Sequence, residues 1–270
     1  MKIKFDGVME TLLITLYIRS EDFKKEKSVL KDKKSAEIIS KIDYDFSKFK
    51  DGWISYYGVL ARAKVMDEQV QRFIAENPDS VVVYVGCGFD TRFERIDNGK
   101  IGWYNLDFPE VIEKRKLFFD ENERVTNIPK SALDSSWTED IKAEEKKVLI
   151  IYEGVLMYFE ESEIKEFLKI LTDSFQKFEA HFDLLSLGTL KRQKKHDTLK
   201  KMNAQFKWGI KDGSELIRLN PEMKQTGLIN FTGKMKKILP FSKKWILPIM
   251  YLYNNRLGIY TYERKKGSNV

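Results

Sequence analysis

The sequence predicts an α/β protein whose core is a parallel β-sheet flanked by helices. Between residues 81 and 185, apolar segments of strand length alternate with amphipathic segments of helix length. This alternation is typical of βαβ units, whose right-handed crossovers build a parallel sheet. A glycine-rich turn, Gly86-Cys87-Gly88, directly follows the first apolar segment. Doubly wound sheets bind ligands at such strand ends, so the same pattern predicts both the fold and the position of a site.

Before the sheet, the pattern indicates helices separated by polar turns. Residues 35–42 form a short amphipathic helix, and residues 59–76 form a longer one with apolar positions at helical spacing. An Asn-Pro-Asp turn at residues 77–79 ends the second helix. We therefore divide the chain into an N-terminal helical extension or cap at residues 1–77 and an α/β domain at residues 78–270.

Each element of the α/β domain is assigned from its length and its apolar pattern. The predicted order is strand 81–85, strand 103–106, helix 109–119, strand 125–128, strand 147–152, helix 162–175 and strand 180–187. Beyond about residue 188 the pattern weakens. There it predicts only a charged helix from Leu190, an aromatic patch at Phe206 and Trp208, and a last strand at residues 257–262.

The glycine turn indicates a nucleoside-containing cofactor. Gly86 and Gly88 allow a tight turn and a close approach of the backbone to a ligand. Asp107 ends the second strand about twenty residues later, a spacing at which a carboxylate reaches ribose hydroxyls. We therefore expect the two glycines and Asp107 to contact such a cofactor.

Two cofactors fit this outline, and the rest of the loop favours one of them. Nicotinamide enzymes place a third glycine where this chain has Thr91, and Asp90 would repel a pyrophosphate. S-adenosyl-L-methionine is cationic, so an acidic loop suits it better. A nicotinamide-dependent oxidoreductase stays the alternative.

Composition argues against several other classes of protein. The single cysteine, Cys87, excludes an internal disulfide and a thiolate zinc site, so we expect a reducing, cytoplasmic location and no metal. The apolar run at residues 8–18 contains Glu10 and lacks a cleavage site, which argues against a signal peptide. The run at residues 245–253 is shorter than the roughly twenty residues needed to span a bilayer.

Basic clusters account for the net charge of +7 and allow two interpretations. One is a surface for nucleic acid or anionic membranes. The other is a set of solvated helix faces, which we favour because acids such as Glu21, Glu26 and Asp32 interrupt the first cluster. We therefore expect no nucleic-acid partner and no membrane partner.

Strand ends identify the remaining candidate residues. The turn 132–134 follows the third strand, and Glu153 follows the fourth, which is apolar throughout. An acid at the exit of a buried strand is a candidate ligand-binding group, although Glu153 could also cap the following helix.

Taken together, five sequence segments resemble one known family. They are YYGVLARAKVMDEQVQRFI, VYVGCGFDTRFER, YNLDFPEVIEKRK, SALDSSW and YEGVLMYF, in that order within roughly residues 30–190. The chain resembles the leucine carboxyl methyltransferases, a family that includes enzymes that esterify a phosphatase C-terminal leucine and bacterial O-methyltransferases of polyketide pathways. The resemblance implies a class I methyltransferase (Rossmann-like) fold. Such a fold has a mostly parallel seven-stranded sheet whose last strand is antiparallel, an N-terminal helical extension and a lid, which we place near residues 188–245.

The resemblance also implies a role for each candidate residue in binding S-adenosyl-L-methionine. Arg62 would hold the methionine carboxylate, Glu153 would balance the ammonium, and Asp107 would bind the ribose, while the glycines lie beneath the cofactor. The turn at residues 132–134 would meet the adenine. The family often has Asp-Leu there. Alignment on Trp137 places Ala132-Leu133 at these positions and displaces Asp134 by two, so Leu133 and Asp134 are both candidates. Asp90 serves either to contact the ligand or to hold the loop.

These observations predict an S-adenosyl-L-methionine-dependent O-methyltransferase that acts on a small-molecule carboxylate or hydroxyl. No catalytic base is evident, since His181 starts a core strand and His196 lies in a charged surface or lid segment. A carboxylate is already ionised at neutral pH and needs no base, which favours it as the acceptor. The alternatives are a protein C-terminal carboxyl methyltransferase, the oxidoreductase and a non-catalytic binder. The oligomeric state stays open.

Overall fold

The computed structural model describes residues 8–50, 52–193 and 205–265, which form one seven-stranded sheet with helices on both faces. The strand order is β3-β2-β1-β4-β5-β7-β6, and all strands are parallel except β7. The strands are β1 (Val81–Val85), β2 (Gly102–Asp107), β3 (Val125–Pro129), β4 (Val148–Tyr152), β5 (Lys177–Leu184), β6 (Lys224–Asn230) and β7 (Arg256–Glu263). The predicted α/β fold with an antiparallel last strand is confirmed.

Ten α-helices accompany the sheet in the described part of the chain. They are α1 (Val8–Phe23), α2 (Lys33–Lys41), α3 (Trp53–Glu76), α4 (Arg92–Ile96), α5 (Pro109–Arg115), α6 (Glu161–Ser174), α7 (Leu187–Lys191), α8 (Ser214–Leu219), α9 (Thr232–Ile238) and α10 (Leu247–Tyr253). Short 3-10 helices at Phe46–Phe49, Ser135–Asp140, Leu156–Tyr158 and Phe241–Ile246 connect some of them.

The two central strands are buried on both faces of the sheet. In β1, Val81, Val83 and Val85 belong to one hydrophobic cluster, whereas Val82 and Tyr84 belong to another on the opposite face. Side chains alternate along a strand, so a strand covered on both sides needs apolar residues at every position. This is why β1 and β4 were readable as continuous apolar runs.

The helical extension is attached to the sheet through α3. Ala61, Val65 and Val70 on α3 pack in the same cluster as Val82 of β1. Leu60 on α3 instead belongs to a third cluster formed mainly with α1 and α2. Thus α3 lies between the sheet and the first two helices, and it carries Arg62 towards the carboxyl ends of the strands.

Several element bounds differ from the predicted ones. The last parallel core strand, β5, starts and ends three residues earlier than predicted, and α5 ends at Arg115 rather than at residue 119. The sequence also missed β6, whose side chains are only partly or not at all buried. A half-exposed edge strand that contains Gly227 shows no continuous apolar run, so its pattern is weak.

The predicted lid segment, residues 188–245, has more than one structural role. It contains β6, which belongs to the sheet, and its beginning overlaps α7. Residues 194–204, including His196, lie outside the described residues, so the lid stays a prediction. None of the helices in the described ranges is both long enough and apolar enough to cross a membrane.

Candidate active site

A cavity of about 400 Å³ opens at the carboxyl ends of the central parallel strands. Its lining includes three of the predicted residues, Arg62, Gly86 and Glu153, and also Asp90. The other predicted residues are not part of this lining within the described chain. The cavity thus lies where a doubly wound sheet binds its ligand.

The glycine loop after β1 requires residues without a side chain. Gly86 and Gly88 have φ angles of +66° and +48°, in the left-handed region that L-residues with a Cβ rarely adopt. A Cβ on Gly86 would lie 2.5 Å from Cγ2 of Val155, and one on Gly88 would lie 2.7 Å from Cδ2 of Leu12. The backbone at Gly86 is therefore part of the cavity wall and can approach a ligand closely.

Asp107 fixes this loop from the end of the neighbouring strand. Its two carboxylate oxygens accept hydrogen bonds from the backbone N–H groups of Gly88 and Phe108, each at 2.8 Å. Burial raises the pKa of Asp107, against the lowering effect of these two donors. A carboxylate has about four lone-pair positions, so two stay available for ribose hydroxyls. The predicted contact with ribose is compatible with this geometry and stays a prediction.

A second side chain supports the loop from α5. Nη1 of Arg115 donates to the carbonyl oxygens of Gly88 and Asp90, both at 2.9 Å. Arg115 is 3% exposed, so this contact is buried. The loop is thus held in its conformation by an acid on one side and a cation on the other.

Behind the loop, nine charged side chains form a continuous chain of ion pairs. Each acid contacts the next arginine within 3.2 Å, in the order Asp183, Arg62, Glu153, Arg92, Asp67, Arg95, Asp32, Arg19 and Asp90. None of the nine side chains is more than 16% exposed. We call this set the ion-pair chain.

The ion-pair chain contains one more acid than arginine, and Asp90 also lies 3.9 Å from Arg92 and 4.0 Å from Arg95. With every group ionised, five acids face four arginines, which gives a net charge of −1. A buried excess charge is unfavourable unless a counter-charge is nearby. Four members of the ion-pair chain, Arg19, Arg62, Glu153 and Asp90, belong to the cavity wall, which also includes Arg192. The excess negative charge of the ion-pair chain favours a ligand group of positive charge next to it.

The pKa values of the members show where the excess charge is least stable. Burial would raise the pKa of Asp90, but Arg92, Arg19 and Arg95 hold it below the ordinary range. Burial would likewise lower the pKa of Arg62, but Glu153 and Asp183 more than offset this effect. At the other end of the chain, burial raises the pKa of Asp183 to about 6, and the nearby Glu153 adds to the shift. Asp183 therefore gains a proton more readily than an ordinary aspartate does.

Asp183 is a site residue that sequence reasoning missed. It is fully buried near the end of β5, and its Oδ2 accepts from Nη1 of Arg62 at 3.0 Å and from the N–H of Gly154 at 3.2 Å. Asn255 donates to its Oδ1 at 3.3 Å. One signal was present: an acid within the apolar run Phe182 to Leu185, close to a strand end.

The turn after β3 lies apart from the ion-pair chain. Leu133 is partly buried and packs against the large core cluster on one face of the sheet. Asp134 is exposed and accepts from the N–H of Ser136, as the N-cap of the 3-10 helix Ser135–Asp140. The roles predicted for Leu133 and Asp134 around the adenine stay predictions.

The rest of the cavity wall is mostly apolar and aromatic, with a few polar side chains such as Thr189, Arg192 and Asn254. Its side chains come from α3, from the segment after β4 and from the C-terminal region, and include Ile54, Val59, Met157, Phe206, Phe231 and Met250. The rings of Tyr158 and Phe206 lie 5.5 Å apart, and the guanidinium of Arg192 lies 4.5 Å from the ring centre of Tyr253. This part of the cavity suits an apolar or aromatic molecule.

Histidines are not found among the described residues of this wall. His181 is fully buried in β5, where its Nε2 lies 2.7 Å from Glu179 and burial lowers its pKa. This agrees with the structural role expected from the sequence. Cys87 does line the cavity, but burial raises the pKa of its thiol, so it is protonated at neutral pH.

Comparison with known proteins assigns the chain to a family. It matches the leucine carboxyl methyltransferase family over residues 23–172. It is 32% identical over 209 residues to the tetracenomycin polyketide synthesis O-methyltransferase TcmP of Streptomyces glaucescens, covering 77% of each protein. The chain belongs to the leucine carboxyl methyltransferase family. The resemblance inferred from the five sequence segments is thereby confirmed.

Two further similarities concern the cofactor and the fold. The S-adenosyl-L-methionine-dependent methyltransferase dpfgK of Gibberella zeae is 28% identical over 249 residues, which cover 83% of this chain and 82% of that protein. The fold is also similar to the structure of magnesium protoporphyrin IX methyltransferase from Synechocystis with bound SAH. That match has a TM-score of 0.50 at 13% identity and covers 93% of this chain and 100% of the other. That likeness concerns the fold alone. This member of the leucine carboxyl methyltransferase family is an S-adenosyl-L-methionine-dependent O-methyltransferase, which argues against the alternative of a nicotinamide oxidoreductase.

Proposed function

We propose that the enzyme methylates an oxygen atom of a small, largely apolar molecule bound in the cavity. The observation that carries this proposal is the composition of the wall, which joins a charged part with Arg19, Arg62, Glu153 and Asp90 to a mostly apolar and aromatic part. A volume of about 400 Å³ falls within the range of small-molecule sites, roughly 300–1,000 Å³. TcmP, a polyketide O-methyltransferase, supports a small-molecule acceptor.

The residues present fit S-adenosyl-L-methionine at the charged end. Gly86 lines the cavity without a side chain and with a φ of +66°, so a ligand can approach its backbone closely. The donor carries a sulfonium, an ammonium and a carboxylate, and its net positive charge complements the ion-pair chain. Arg62 and Glu153 would hold the carboxylate and ammonium, Asp107 the ribose, and the turn with Leu133 and Asp134 the adenine.

Methyl transfer at this site needs orientation more than proton transfer. When bound, the donor supplies a methyl group that is electrophilic because its sulfur is positively charged. The apolar wall holds the acceptor oxygen in line with that methyl group and keeps water out. Asp90 and Glu153, the acids in the described lining, are both paired with arginines. We therefore propose an acceptor oxygen that is ionised without a base, such as a carboxylate.

An acceptor screen tests the proposal directly. Aromatic carboxylic acids, matching phenols and a peptide that ends in leucine are incubated with donor labelled in its methyl group. We expect label on a small carboxylic acid, in a form that alkali releases as methanol because it is an ester. Transfer to the peptide alone would favour protein C-terminal methylation. Label that is stable to alkali on phenols would contradict the choice of a carboxylate.

A further inference from the structure

A ridge of large apolar side chains lies on the outside of the molecule, next to the cavity. Phe241, Trp245, Ile249 and Leu252 are 90%, 68%, 47% and 68% exposed. Phe241 and Trp245 lie on the 3-10 helix Phe241–Ile246, and Ile249 and Leu252 lie three residues apart on α10, which follows it directly in the chain. A cluster of this kind on a folded protein indicates a surface that contacts a partner. We call these four residues the apolar ridge.

The region that carries the apolar ridge contains basic residues and no acids. Residues 223–262 include seven Lys or Arg and not one Asp or Glu, although the whole chain has 41 acids. Lys236 and Lys237 are exposed on the neighbouring α9, and Lys244 precedes Trp245. Two other lysines are engaged within the protein: Lys234 pairs with Glu68, and Lys243 lies over the ring of Trp53. The exposed lysines therefore give the ridge a cationic border.

Exposed aromatic and aliphatic residues bordered by lysines fit the surface of an anionic lipid bilayer. Tryptophan and phenylalanine are stable at the level of the lipid headgroups, aliphatic side chains enter the acyl boundary, and lysines attract acidic headgroups. We propose that the apolar ridge and Lys236, Lys237 and Lys244 bind the surface of membranes that contain anionic lipids. This differs from our expectation from the sequence, where the basic clusters were interpreted as solvated helix faces.

Charge favours a membrane over a second copy of the chain as the occupant. A symmetric dimer through the ridge would bring the same patch of both subunits together, because such interfaces are isologous. Lysines would then face lysines across an interface from which water is excluded, and like charges repel strongly there. An anionic membrane instead places negative headgroups against these lysines.

The same helix connects the apolar ridge to the cavity. On α10, Ile249 and Leu252 are exposed, while Met250 and Tyr253 belong to the cavity wall. Membrane binding through the ridge would therefore bring the apolar part of the cavity close to the lipid phase. The proposal concerns binding alone and does not depend on methyl transfer.

Vesicle flotation tests the proposal with the full chain. Phosphatidylcholine vesicles are compared with vesicles that also contain phosphatidylglycerol, at about 0.15 M salt. We expect partitioning to the anionic vesicles only. The double substitution Lys236→Glu and Lys237→Glu should lower it by about tenfold or more, since each lysine near such a surface contributes measurably. Phe241→Ser with Trp245→Ser should cause a similar loss.

Matched variants control for charge and for apolar surface. Lys165→Glu with Lys169→Glu makes the same charge change on the exposed side of α6 and should keep vesicle binding. Leu117→Ser removes a side chain that is 54% exposed elsewhere and should also keep it. All substituted positions are solvent-accessible, so circular dichroism should show folded variants.

Three outcomes would overturn the proposal. One is no binding of the unaltered protein to anionic vesicles. Another is an equal loss in the ridge variants and the control variants. The third is self-association of the unaltered protein in sedimentation that Phe241→Ser with Trp245→Ser abolishes, since a second copy would then cover the ridge. A blue shift of tryptophan fluorescence on anionic vesicles that Trp245→Phe removes would instead support membrane contact at Trp245.

Discussion

At the scale of single residues, the site depends on positions where the presence or absence of one atom changes the conformation of the loop after β1. The loop after β1 keeps its course because Gly86 and Gly88 have no Cβ and because Asp107 accepts two backbone N–H groups. The sequence predicted the glycine turn and Asp107 beside it, because the constraint is local: positive φ angles select glycine, and the acid follows at a fixed spacing. The contact of Gly86, Gly88 and Asp107 with the cofactor stays a prediction.

Substitution of Gly86 by alanine should weaken cofactor binding and lower stability. The new Cβ would meet Val155 at 2.5 Å, and a φ of +66° costs a non-glycine residue about 1–3 kcal/mol. Calorimetry with S-adenosyl-L-methionine and thermal unfolding measure the two effects. Gly233→Ala is the control, because nothing lies within 4 Å of its Cβ position. Equal cofactor affinity and equal Tm in the two variants would show that the loop tolerates a side chain at Gly86.

Asp183 should make cofactor binding depend on pH. Its pKa is raised to about 6, so below that pH it is neutral and the ion-pair chain loses its excess negative charge. Affinity for the cationic donor should rise by about tenfold between pH 5 and pH 7.5, the effect of one pKa unit of interaction. The free energy of unfolding of the unbound protein changes in the opposite direction. Asp183 stabilises the folded state at a pH below its unfolded pKa, and this contribution is lost as pH rises through about 6.

The variant Asp183→Asn isolates this effect. Its affinity should change little with pH and should stay near the weak, low-pH value of the unaltered enzyme. Asp173→Asn on the exposed side of α6 is the control and should keep the full pH dependence, since among the described residues its carboxylate pairs with the solvent-exposed Lys169. A pH profile that persists in Asp183→Asn would assign the titration to another group.

At the scale of elements, the ion-pair chain joins segments that are far apart in the sequence. Arg92 on α4 contacts Asp67 on α3 and Glu153 after β4, each at 2.7 Å. Arg62 on α3 contacts Asp183 on β5, 121 positions later. These contacts fix α3 and α4 against the carboxyl edge of the sheet, so the charged groups also set the shape of the cavity.

Removal of Arg92 should therefore destabilise the fold as a whole. Arg92→Met leaves Asp67 and Glu153 buried with one partner fewer, and loss of one member of a buried pair costs about 3–5 kcal/mol. Arg124→Met breaks a pair with Asp97 that is partly exposed, and it should cost less than about 1 kcal/mol. Urea unfolding measures both; similar costs would mean that the ion-pair chain does not stabilise the structure more than a surface pair does.

At the scale of the whole molecule, binding of the donor should stabilise the folded chain. A ligand that binds only the folded state at a hundred times its Kd adds about 2.7 kcal/mol, which raises Tm by several degrees. S-adenosyl-L-methionine should produce this shift, whereas NAD at the same concentration should not, because its pyrophosphate meets the acidic loop at Asp90. An equal shift with NAD would contradict the charge complementarity of the site.

The parts of the site that stayed hidden in the sequence share one property. Asp183, the apolar wall and the apolar ridge each depend on which segments fold next to one another. β6 was missed for a related reason: a half-exposed edge strand is defined by its pairing with β7 rather than by its own pattern.

The sequence by itself predicted five of the parallel strands, the glycine loop, the acids Asp107 and Glu153 at strand ends, and the family. These features can be recognised within short sequence segments, because local backbone conformation and burial each select residue types at neighbouring positions. Only the tertiary structure decided that four arginines and five acids form one chain with an excess negative charge, and that α10 has one side in the cavity and one side in solvent. Charges and surfaces combine through space, so their sum appears only when distant segments are packed together.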